Sequence, residues 1–441
     1  MANAREVAAR TLIACERQGA WSDGYLKRVI HEDGLDRRDA ALATRLCFGV
    51  LQNRMLLDWY LGRLSRIPVE KLDGYVRANL RIALYQLLFM EKIPASAAVN
   101  EAVKLTRARV KNPRAAGMVN GILRSFLRQR EDFSIPTGTD DVETLSIRYS
   151  HPRWLVETFL RRLGAEQTEA LLTADNGVPP MTVQINTGWG TIGEVKVVLE
   201  EDGVKAESHP TLPDCLNLSE TGNLEKLKAY RQGLFYVQDA AARLAVCAAG
   251  IVPGQRVLDC CASPGGKSFA AAIDMDDRGE VISCDIYPHK IALMEAGRDR
   301  LGLSAMKPIL QDARTYRAEW DSGFDAVICD VPCSGLGIIR KKPDIRYKKP
   351  GDLKGLSGLQ KEILENCSRY VKRGGTLIYS TCTLVERENE DVVRTFLSIH
   401  PEFVLEPFSL PGMEEQRGMV TLWPHIHGTD GFFIAKLKRL E

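Results

Sequence analysis

The chain has 441 residues, of which 45% are hydrophobic and 26% are charged, with 59 basic and 57 acidic side chains. This length suffices for two or three domains with cores of their own, and the composition excludes collagenous, low-complexity and wholly disordered proteins. The formal net charge of +2 hides a segregation, because residues 1–135 carry +9 and the remainder carries −7. The near-neutral total therefore does not exclude a polyanionic partner.

Neither end of the sequence resembles a targeting segment. Arg5 and Glu6 lie where a signal peptide would begin its apolar stretch. The longest apolar run, residues 244–252, has about half of the length that spans a bilayer. We therefore expect a cytoplasmic protein.

The cysteine and histidine residues indicate neither a disulfide scaffold nor a metal centre. Eleven cysteines are few for this length, and Cys260, Cys284 and Cys329 lie in apolar, strand-like runs. Buried free thiols explain most of them. Because no Cys-x-x-Cys spacing occurs and the seven histidines are scattered, we expect no structural zinc site and no other metal.

The first 130 residues are predicted to be helical. Apolar residues recur at helical spacing, which predicts helices over residues 40–64, 80–90, 98–105 and 115–130. Between residues 102 and 130 no side chain is acidic, whereas eight are basic: Lys104, Arg107, Arg109, Lys111, Arg114, Arg124, Arg128 and Arg130. They form either a solvated face or a surface for a phosphate backbone. We take Arg107, Arg109, Lys111 and Arg114 as candidate nucleic-acid contacts.

The remainder of the chain divides into a small mixed segment and a longer alternating one. Residues 132–141 are typical of a linker, and residues 145–235 are predicted to be α+β, with helices at 151–163 and 193–201 and strands at 181–186 and 215–218. From residue 238 onward, predicted strands alternate with predicted helices. The strands are at 256–261, 281–285, 308–311, 326–330 and 376–380, with a last strand at 431–437. The helices include 359–371 and 386–399. This alternation predicts a mostly parallel sheet covered on both faces, with ligands at the carboxyl ends of its strands.

The first strand of the alternating region leads into a loop with two glycines. The loop consists of Cys261, Ala262, Ser263, Pro264, Gly265, Gly266 and Lys267. Glycines let the backbone approach a ligand, and the helix start that follows favours an anionic group such as a carboxylate. The pattern is neither Gly-x-Gly-x-x-Gly nor a Walker loop, which disfavours a dinucleotide or ATP. A purely structural turn is the alternative.

Acidic residues end the next two predicted strands. Asp285 follows the glycine loop by about 20 residues, where an acid suits a ribose diol. Asp312 ends the third strand and could accept a hydrogen bond from an adenine amino group. Each acid alone could be a solvated strand cap, but their coincidence with the glycine loop favours a cofactor site.

The fourth and fifth predicted strands end in cysteine motifs, Asp330-Val-Pro-Cys333 and Ser380-Thr-Cys382. The two cysteines are 49 residues apart, yet adjacent parallel strands end at the same edge of a sheet, so we expect their thiols to meet near Asp330. A thiolate activated by a nearby cation such as Lys267 is a competent nucleophile. Inert thiols are the alternative.

A basic tract follows the first cysteine motif. Its members are Arg340, Lys341, Lys342, Arg346, Lys348 and Lys349, with Tyr347 among them. Clustered positive charge beside an aromatic ring is suited to a nucleic-acid backbone and a stacked base. A flexible, solvated loop is the alternative.

Together, the glycine loop and the two cysteine motifs resemble those of the S-adenosylmethionine-dependent RNA cytosine-5 methyltransferases, over residues 238–441. The resemblance implies that the loop from Cys261 to Lys267 binds the methionine end of S-adenosylmethionine, with Asp285 at its ribose and Asp312 at its adenine. It also implies that Cys382 attacks C6 of a cytosine, that Cys333 assists product release, that Asp330 contacts both cofactor and base, and that Lys267 is among the catalytic residues. Ser263 stands where alanine is more usual.

The helical region is similar to the NusB fold, and the whole architecture resembles the RsmB-type bacterial ribosomal RNA methyltransferases. This implies a multidomain chain: an all-α NusB-like RNA-binding domain (1–138), a small α+β segment (139–237) and an α/β, Rossmann-like methyltransferase domain (238–441). It further implies a monomer that methylates a cytosine of small-subunit (16S) ribosomal RNA.

Other functions stay open at this point. The same chemistry could act on transfer RNA. A methyltransferase for exocyclic amines is disfavoured because the Pro-Pro-aromatic motif typical of those enzymes is replaced here by Asp330-Val-Pro-Cys333. A non-enzymatic antitermination or assembly factor would need no intact cysteine pair. The two cysteine roles could also be reversed, since DNA cytosine methyltransferases use the Pro-Cys thiol as nucleophile.

Overall fold

The computed structural model describes residues 3–138 and 141–441. The chain forms two compact units, one extending to Gly177 and including Ile339–Pro350, the other comprising Val178–Ile338 and Gly351–Glu441. The expected boundaries after residues 138 and 237 stay predictions. Thr139 and Asp140, which fall at the first boundary and in the predicted linker, lie outside the described residues.

The first unit is helical, as the sequence predicts. Within its described residues it has eight α-helices, α1 (Ala4–Gln18), α2 (Ser22–Glu32), α3 (Arg37–Leu64), α4 (Gly74–Phe89), α5 (Ala95–Arg109), α6 (Arg114–Gln129), α7 (Val142–Tyr149) and α8 (Arg153–Asp175). The apolar faces of α1 to α6 form one core that includes Leu46, Leu57, Leu80 and Phe126, each fully buried. Burial of such faces supplies most of the stability of helices of this length.

Helix ends explain where the predicted bounds differ. Helix α4 begins six residues before the predicted residue 80, because the carboxylate of Asp73 accepts hydrogen bonds from the first free backbone N–H groups. Helix α8 continues past the predicted end at residue 163, interrupted at Gly164, whose φ of 76° only glycine adopts readily. The sequence therefore predicted the helices correctly and their ends less well.

The second unit contains two sheets, of which the smaller is antiparallel. Its strands are β1 (Met181–Ile185), β2 (Lys205–Ser208), β3 (Cys215–Ser219) and β4 (Phe235–Val237), in the order β2-β3-β1-β4, with helices α9 (Ile192–Glu201) and α10 (Lys228–Arg231). The predicted strands at 181–186 and 215–218 and the predicted helix at 193–201 are thus present, whereas the helix predicted at 151–163 belongs to the first unit as α8. Strand β2 was not predicted, because its exposed Lys-Ala-Glu-Ser sequence lacks apolar alternation.

The larger sheet carries the alternating pattern. Its strands are β5 (Arg256–Asp259), β6 (Glu280–Asp285), β7 (Met306–Leu310), β8 (Phe324–Asp330), β9 (Val371–Thr381), β10 (Phe403–Leu405), β11 (Met419–Leu422) and β12 (Phe432–Arg439). The strand order is β10-β12-β9-β8-β5-β6-β7, with β11 beside β12. Strands β5 to β9 are mutually parallel, as predicted, and β12 is antiparallel to β9.

Helices cover both faces of this sheet. They are α11 (Ala240–Ala249), α12 (Gly266–Asp274), α13 (Pro288–Leu301), α14 (Leu356–Ser368), α15 (Glu390–Ile399) and α16 (Pro424–His427). Alternate strand residues enter opposite core layers, so that Val257 faces one layer and Leu258 the other. Because the chain leaves β5 on one side toward β6 and later adds β8 on the other, the carboxyl end of β5 is a topological switch point, where ligands bind in such sheets. No helix in the described part of the chain is long and apolar enough to cross a membrane.

Candidate active site

The glycine loop joins β5 to α12 at the switch point. Gly265 has a φ of 108°, and a Cβ added there would lie 2.6 Å from the ring of Phe269, so both backbone and packing require glycine. Asp259, at the end of β5, is fully buried, and its carboxylate accepts a 2.7 Å hydrogen bond from Ser268 of α12. Burial raises the pKa of Asp259 to about 7. The loop is therefore held rigidly from beneath.

The two predicted cofactor acids lie on the next strands of the same edge. Asp285 ends β6, is mostly buried, and accepts hydrogen bonds from the backbone of Tyr287 (3.1 Å) and from Lys290 (3.3 Å). Asp312 follows β7 and pairs with Arg314 at 2.7 Å, and hydrogen bonds from Arg314 lower the pKa of Asp312. Both side chains are thus hydrogen-bond acceptors at the carboxyl end of the sheet.

Lys267 and Asp330, which the sequence places 63 residues apart, form an ion pair. The Lys267 Nζ lies 2.6 Å from Oδ2 of Asp330, and Ser380 donates to the other carboxylate oxygen at 2.8 Å. Burial alone would lower the pKa of Lys267, but the charge and hydrogen bond of Asp330 outweigh it and raise that pKa. Lys267 therefore stays protonated beside Cys382.

The two cysteine motifs meet as predicted. The Sγ atoms of Cys333 and Cys382 are 3.2 Å apart, and both residues are half-buried. Hydrogen bonding to Cys382, reinforced by burial, raises the pKa of Cys333 well above its usual value. Hydrogen bonding and burial thus favour the protonated form of Cys333.

A buried hydrogen-bond network holds both cysteine loops, and the sequence did not predict it. Glu388 is 1% exposed, and its Oε2 accepts from the backbone N–H of Ser334 (2.8 Å) and from Gln360 (3.0 Å). The Gln360 amide also donates to the carbonyl oxygen of Pro332 at 3.0 Å. We name the set Glu388, Gln360 and Asn389 the brace. It fixes the backbone on both sides of Cys333.

Asn389 completes the brace on the side of the second cysteine. Its amide donates to the carbonyl oxygen of Thr383 (2.9 Å) and accepts from the hydroxyl of Thr381 (2.6 Å), so it spans Cys382. The sequence signal was an acid and an amide shortly after Cys382, but polar residues after a strand are common. Only the tertiary contacts distinguish them from solvated side chains.

Gly337 brings the two loops together by close backbone approach. Its N–H donates to the carbonyl oxygen of Cys382 at 2.9 Å. A Cβ at this position would lie 1.8 Å from the carbonyl oxygen of Gly431, which no side chain tolerates. The spacing of Cys333 and Cys382 thus depends on glycine at this position.

The helical basic residues lie in the first unit and are exposed. Arg107, Lys111 and Arg114 lie at the end of α5, in the connection and at the start of α6, and all are exposed. Arg109, also exposed, forms an ion pair with Glu6. Three of the four candidate contacts are therefore accessible without breaking a salt bridge described in the structure.

The basic tract belongs to the first unit, and its central residue corrects the prediction. Arg346 is fully buried, and its guanidinium donates to the backbone oxygens of Gln52 (3.1 Å) and Tyr149 (3.2 Å) and to Oδ1 of Asn176 (2.7 Å). An RNA contact by Arg346 is therefore wrong, because its guanidinium is enclosed in the protein interior. Arg340 is also buried, at 8% exposure.

The aromatic ring of the tract is occupied as well. The hydroxyl of Tyr347 donates to the carbonyl oxygen of Leu51 at 2.6 Å, and the guanidinium of Arg54 lies 3.3 Å from its ring centroid. The tract is thus an ordered structural segment rather than a flexible loop. Lys342 and Lys349 are exposed, and Lys341 and Lys348 are half-buried, so their RNA contacts stay predictions.

Comparison with known families matches each part of the chain. A family model described as 16S rRNA methyltransferase RsmB/F matches residues 248–438. The NusB family model matches residues 2–128, and a ferredoxin-like domain model of RsmF/B-like methyltransferases matches residues 151–225. The predicted NusB-like and methyltransferase folds, with a small domain between them, are thereby confirmed.

Full-length relatives agree. The chain is 35% identical to the probable ribosomal RNA small subunit methyltransferase B of Bacillus subtilis, over 99% of this chain and 98% of that protein. It is 32% identical to ribosomal RNA small subunit methyltransferase B of Salmonella paratyphi A, with the same coverage. The crystal structure of PH0851 superposes with a TM-score of 0.81 at 28% identity, covering 98% of both chains. The chain therefore belongs to the ribosomal RNA small subunit methyltransferase B family.

Proposed function

We propose that the chain transfers a methyl group from S-adenosylmethionine to C5 of a cytosine in small-subunit ribosomal RNA. The observation that carries the proposal is the pair of thiols, Cys333 and Cys382, 3.2 Å apart beside the Lys267–Asp330 ion pair. Membership of the family supports methyl transfer to ribosomal RNA, since its members are named for that activity. The cysteine pair supports C5 chemistry, because other acceptor atoms need no thiol nucleophile.

The residues at the switch point fit S-adenosylmethionine. The glycine loop and the start of α12 suit the carboxylate of its methionine end, and Asp285 and Asp312 suit its ribose and adenine. A buried donor is also present: Gln238 is 6% exposed, a Cβ on Gly266 would lie 3.3 Å from its amide nitrogen, and among the described residues that nitrogen has no hydrogen-bond partner. When bound, S-adenosylmethionine supplies a methyl group on a positively charged sulfur.

The chain's own residues must activate the acceptor, because cytosine C5 is a poor nucleophile. Addition of the Cys382 thiolate to C6 makes C5 enamine-like and able to accept a methyl group. Asp330, whose carboxylate is held by Lys267 and Ser380, is positioned to hydrogen-bond the base and stabilise the adduct. Loss of the C5 proton to a base and departure of the Cys382 thiolate then complete the reaction.

We assign different catalytic roles to the Cys333 and Cys382 thiols. The raised pKa of Cys333 favours the protonated form of that thiol, which supports Cys382 as the nucleophile. We assign Cys333 to the final elimination. This order agrees with the Thr-Cys nucleophile of the RNA methyltransferases that the sequence resembles.

RNA binding is assigned to the exposed positive side chains. Arg107, Lys111 and Arg114 of the first unit lack acidic neighbours in sequence, and Lys342 and Lys349 are exposed on the basic tract. Contacts of this kind bind phosphate groups without reading sequence. The choice of cytosine then depends on the shape of the RNA.

The decisive experiment supplies labelled S-adenosylmethionine with naked small-subunit ribosomal RNA, assembled subunits or transfer RNA. We expect label in the ribosomal RNA, located at a single cytosine by bisulfite sequencing. Label in transfer RNA alone would favour the alternative substrate, and no label in any RNA would contradict the enzyme.

The cysteine roles are tested by trapping. Cys333→Ala should accumulate a covalent RNA–protein adduct that resists denaturing electrophoresis, whereas Cys382→Ala should form none. The opposite pattern would reverse the two roles and leave the methyl transfer itself intact. Cys247→Ala, at a half-buried thiol of α11 distant in sequence from both motifs, is the matched control.

A further inference from the structure

A second group of cysteines lies away from the catalytic pair. Cys260 directly follows β5, Cys284 lies in β6, Cys329 in β8 and Cys367 in α14. Their exposures are 3%, 1%, 0% and 1%, and all four belong to the same core layer on one face of the large sheet. We name this group the cysteine layer.

The strand register explains why the layer forms. Strands β5 and β6 pair with Asp259 opposite Ser283, so the next residues, Cys260 and Cys284, are opposite each other. Strands β5 and β8 pair with Asp259 opposite Ile328, so Cys260 is also opposite Cys329. Three thiols thus form a row across adjacent strands on one face, and α14 adds Cys367 above them.

The sulfur positions match a metal-thiolate site. The Sγ atoms of Cys260, Cys329 and Cys367 all lie within 4.8 Å of one another, and those of Cys260 and Cys329 are 3.8 Å apart. A tetrahedral zinc ion with Zn–S bonds of about 2.3 Å holds its sulfurs about 3.8 Å apart. Small rotations of the three side chains would therefore complete this geometry.

Space for a fourth ligand adjoins two of the three clustered cysteines, Cys260 and Cys367. A cavity of about 10 Å³ is lined by Cys260, Cys284 and Cys367, among other residues. This volume is about that of one water-sized sphere. It allows the Cys284 side chain to turn toward the other thiols, or a water molecule to take the fourth position.

We propose that Cys260, Cys329 and Cys367, with Cys284 as fourth ligand, bind a thiolate-preferring divalent cation of the zinc type. Each coordinating thiol loses its proton to solvent, and no oxidation is involved. The ion joins β5, β8 and α14 beneath the strand ends that lead into the glycine loop and the Cys333 motif. The site is structural and independent of the proposed methyl transfer.

The test uses the full-length protein, freed of metal by a chelator under reducing conditions and titrated with Co²⁺. We expect one equivalent to bind with intense near-ultraviolet thiolate-to-metal absorption, and Zn²⁺ to displace it. Native mass spectrometry should give a mass increase of one zinc less the released protons. Metal should also raise the unfolding temperature, because only the folded chain assembles the site.

Variants locate the ion. Cys329→Ala and, as a milder change, Cys367→Ser should abolish the absorption, whereas Cys215→Ala, at a buried thiol of the same unit outside the layer, should retain it. Cys382→Ala should retain it too, since the catalytic pair is a separate cluster. Loss in Cys382→Ala, retention in both layer variants, or no absorption in the unaltered protein would each overturn the proposal. The last result does not depend on whether a variant folds.

Discussion

The Asp330–Cys333 motif and the basic tract are neighbours in sequence, and both contain residue types that commonly bind or react with ligands. The two segments differ in how the structure surrounds those residues. In the Asp330–Cys333 motif, the reactive groups are partly exposed and are held by the ion pair and the brace. In the basic tract, which begins seven residues later, Arg346 is fully buried and bonded to backbone oxygens. Residue type alone therefore does not assign function; a side chain acts on a ligand only where its polar groups are positioned and still reachable.

We expect the largest effect on activity from a substitution in the cysteine pair. Cys382→Ala should lower methyl transfer at least about 10³-fold, because the proposed mechanism assigns the bond to C6 to the Cys382 thiol. The melting temperature should change little, since the side chain is half-buried. Rates from labelled S-adenosylmethionine, compared with Cys247→Ala, check this. Activity close to that of the unaltered chain would remove Cys382 from the mechanism.

Substitution of Arg346 tests whether the basic tract stabilises the first unit. Arg346→Met should destabilise the first unit by about 3 kcal/mol, because several buried oxygens lose their donors at once. The exposed Lys349 provides the matched control, and Lys349→Met should stay within about 0.5 kcal/mol. Urea denaturation measures both. Equal stability of the two variants would contradict the anchoring role and return Arg346 to the RNA-contact candidates.

Substitution of Glu388 in the brace tests whether this network positions the cysteine loops without contacting the substrate. Glu388→Gln keeps the shape but leaves an amide oxygen, a weaker acceptor than a carboxylate oxygen, to accept from both the Ser334 N–H and the Gln360 amide. We expect kcat to fall about tenfold, which corresponds to an increase of about 1.4 kcal/mol in the activation free energy. The KM for S-adenosylmethionine should stay unchanged. Glu386→Gln, at an exposed glutamate on the same turn that pairs with Arg394, is the control. A parallel loss of cofactor binding would indicate general damage instead.

The exposed helical charges should act on affinity alone. Replacing Arg107, Lys111 and Arg114 together by alanine should reduce the slope of log affinity against log salt, by about 0.7 for each phosphate group of single-stranded RNA that these side chains neutralise. Filter binding of small-subunit RNA over a salt series measures the slope. An unchanged slope would show that these side chains form only a solvated face.

The smallest effect concerns pH. Burial, aided by the charge of Arg346, lowers the pKa of His151 below its usual 6.5, while Asp175 opposes the shift. Since the unfolded chain then binds the proton more readily, the first unit should lose stability as the pH falls below about 6.5. Thermal unfolding between pH 5 and 8 should show this loss, and His151→Asn should reduce it. Stability that rises on acidification would mean that the Asp175 pairing dominates.

Sequence patterns were reliable where the chain's own periodicity fixes the structure. Strands β5 to β9 were predicted because apolar runs between helices leave few alternatives, and the meeting of Cys333 and Cys382 followed from parallel strands ending at one edge. Strand β9 begins at Val371, five residues before the predicted start, and α14 ends at Ser368 rather than 371. The first residues of β9 include two charged side chains and two glycines, which do not show the apolar pattern of a buried strand.

The brace and the burial of Arg346 could not be predicted in this way. Glu388 reaches Ser334 across 54 positions, and Arg346 reaches Gln52 across 294. Such pairs leave no periodic signal, since each partner is an ordinary polar residue in its own segment. The cysteine layer is similar, because its members come from four elements and lack metal-ligand spacing.

The sequence by itself determined the order of helices and strands, the glycine loop, and the two cysteines at neighbouring strand ends, because these depend on local pattern and on sheet topology. The tertiary structure decided which charges are exposed, that the pKa of Cys333 is raised, and which polar groups hold the cysteine loops. Those properties depend on burial and on hydrogen-bond partners distant in sequence, and both arise only when the chain packs.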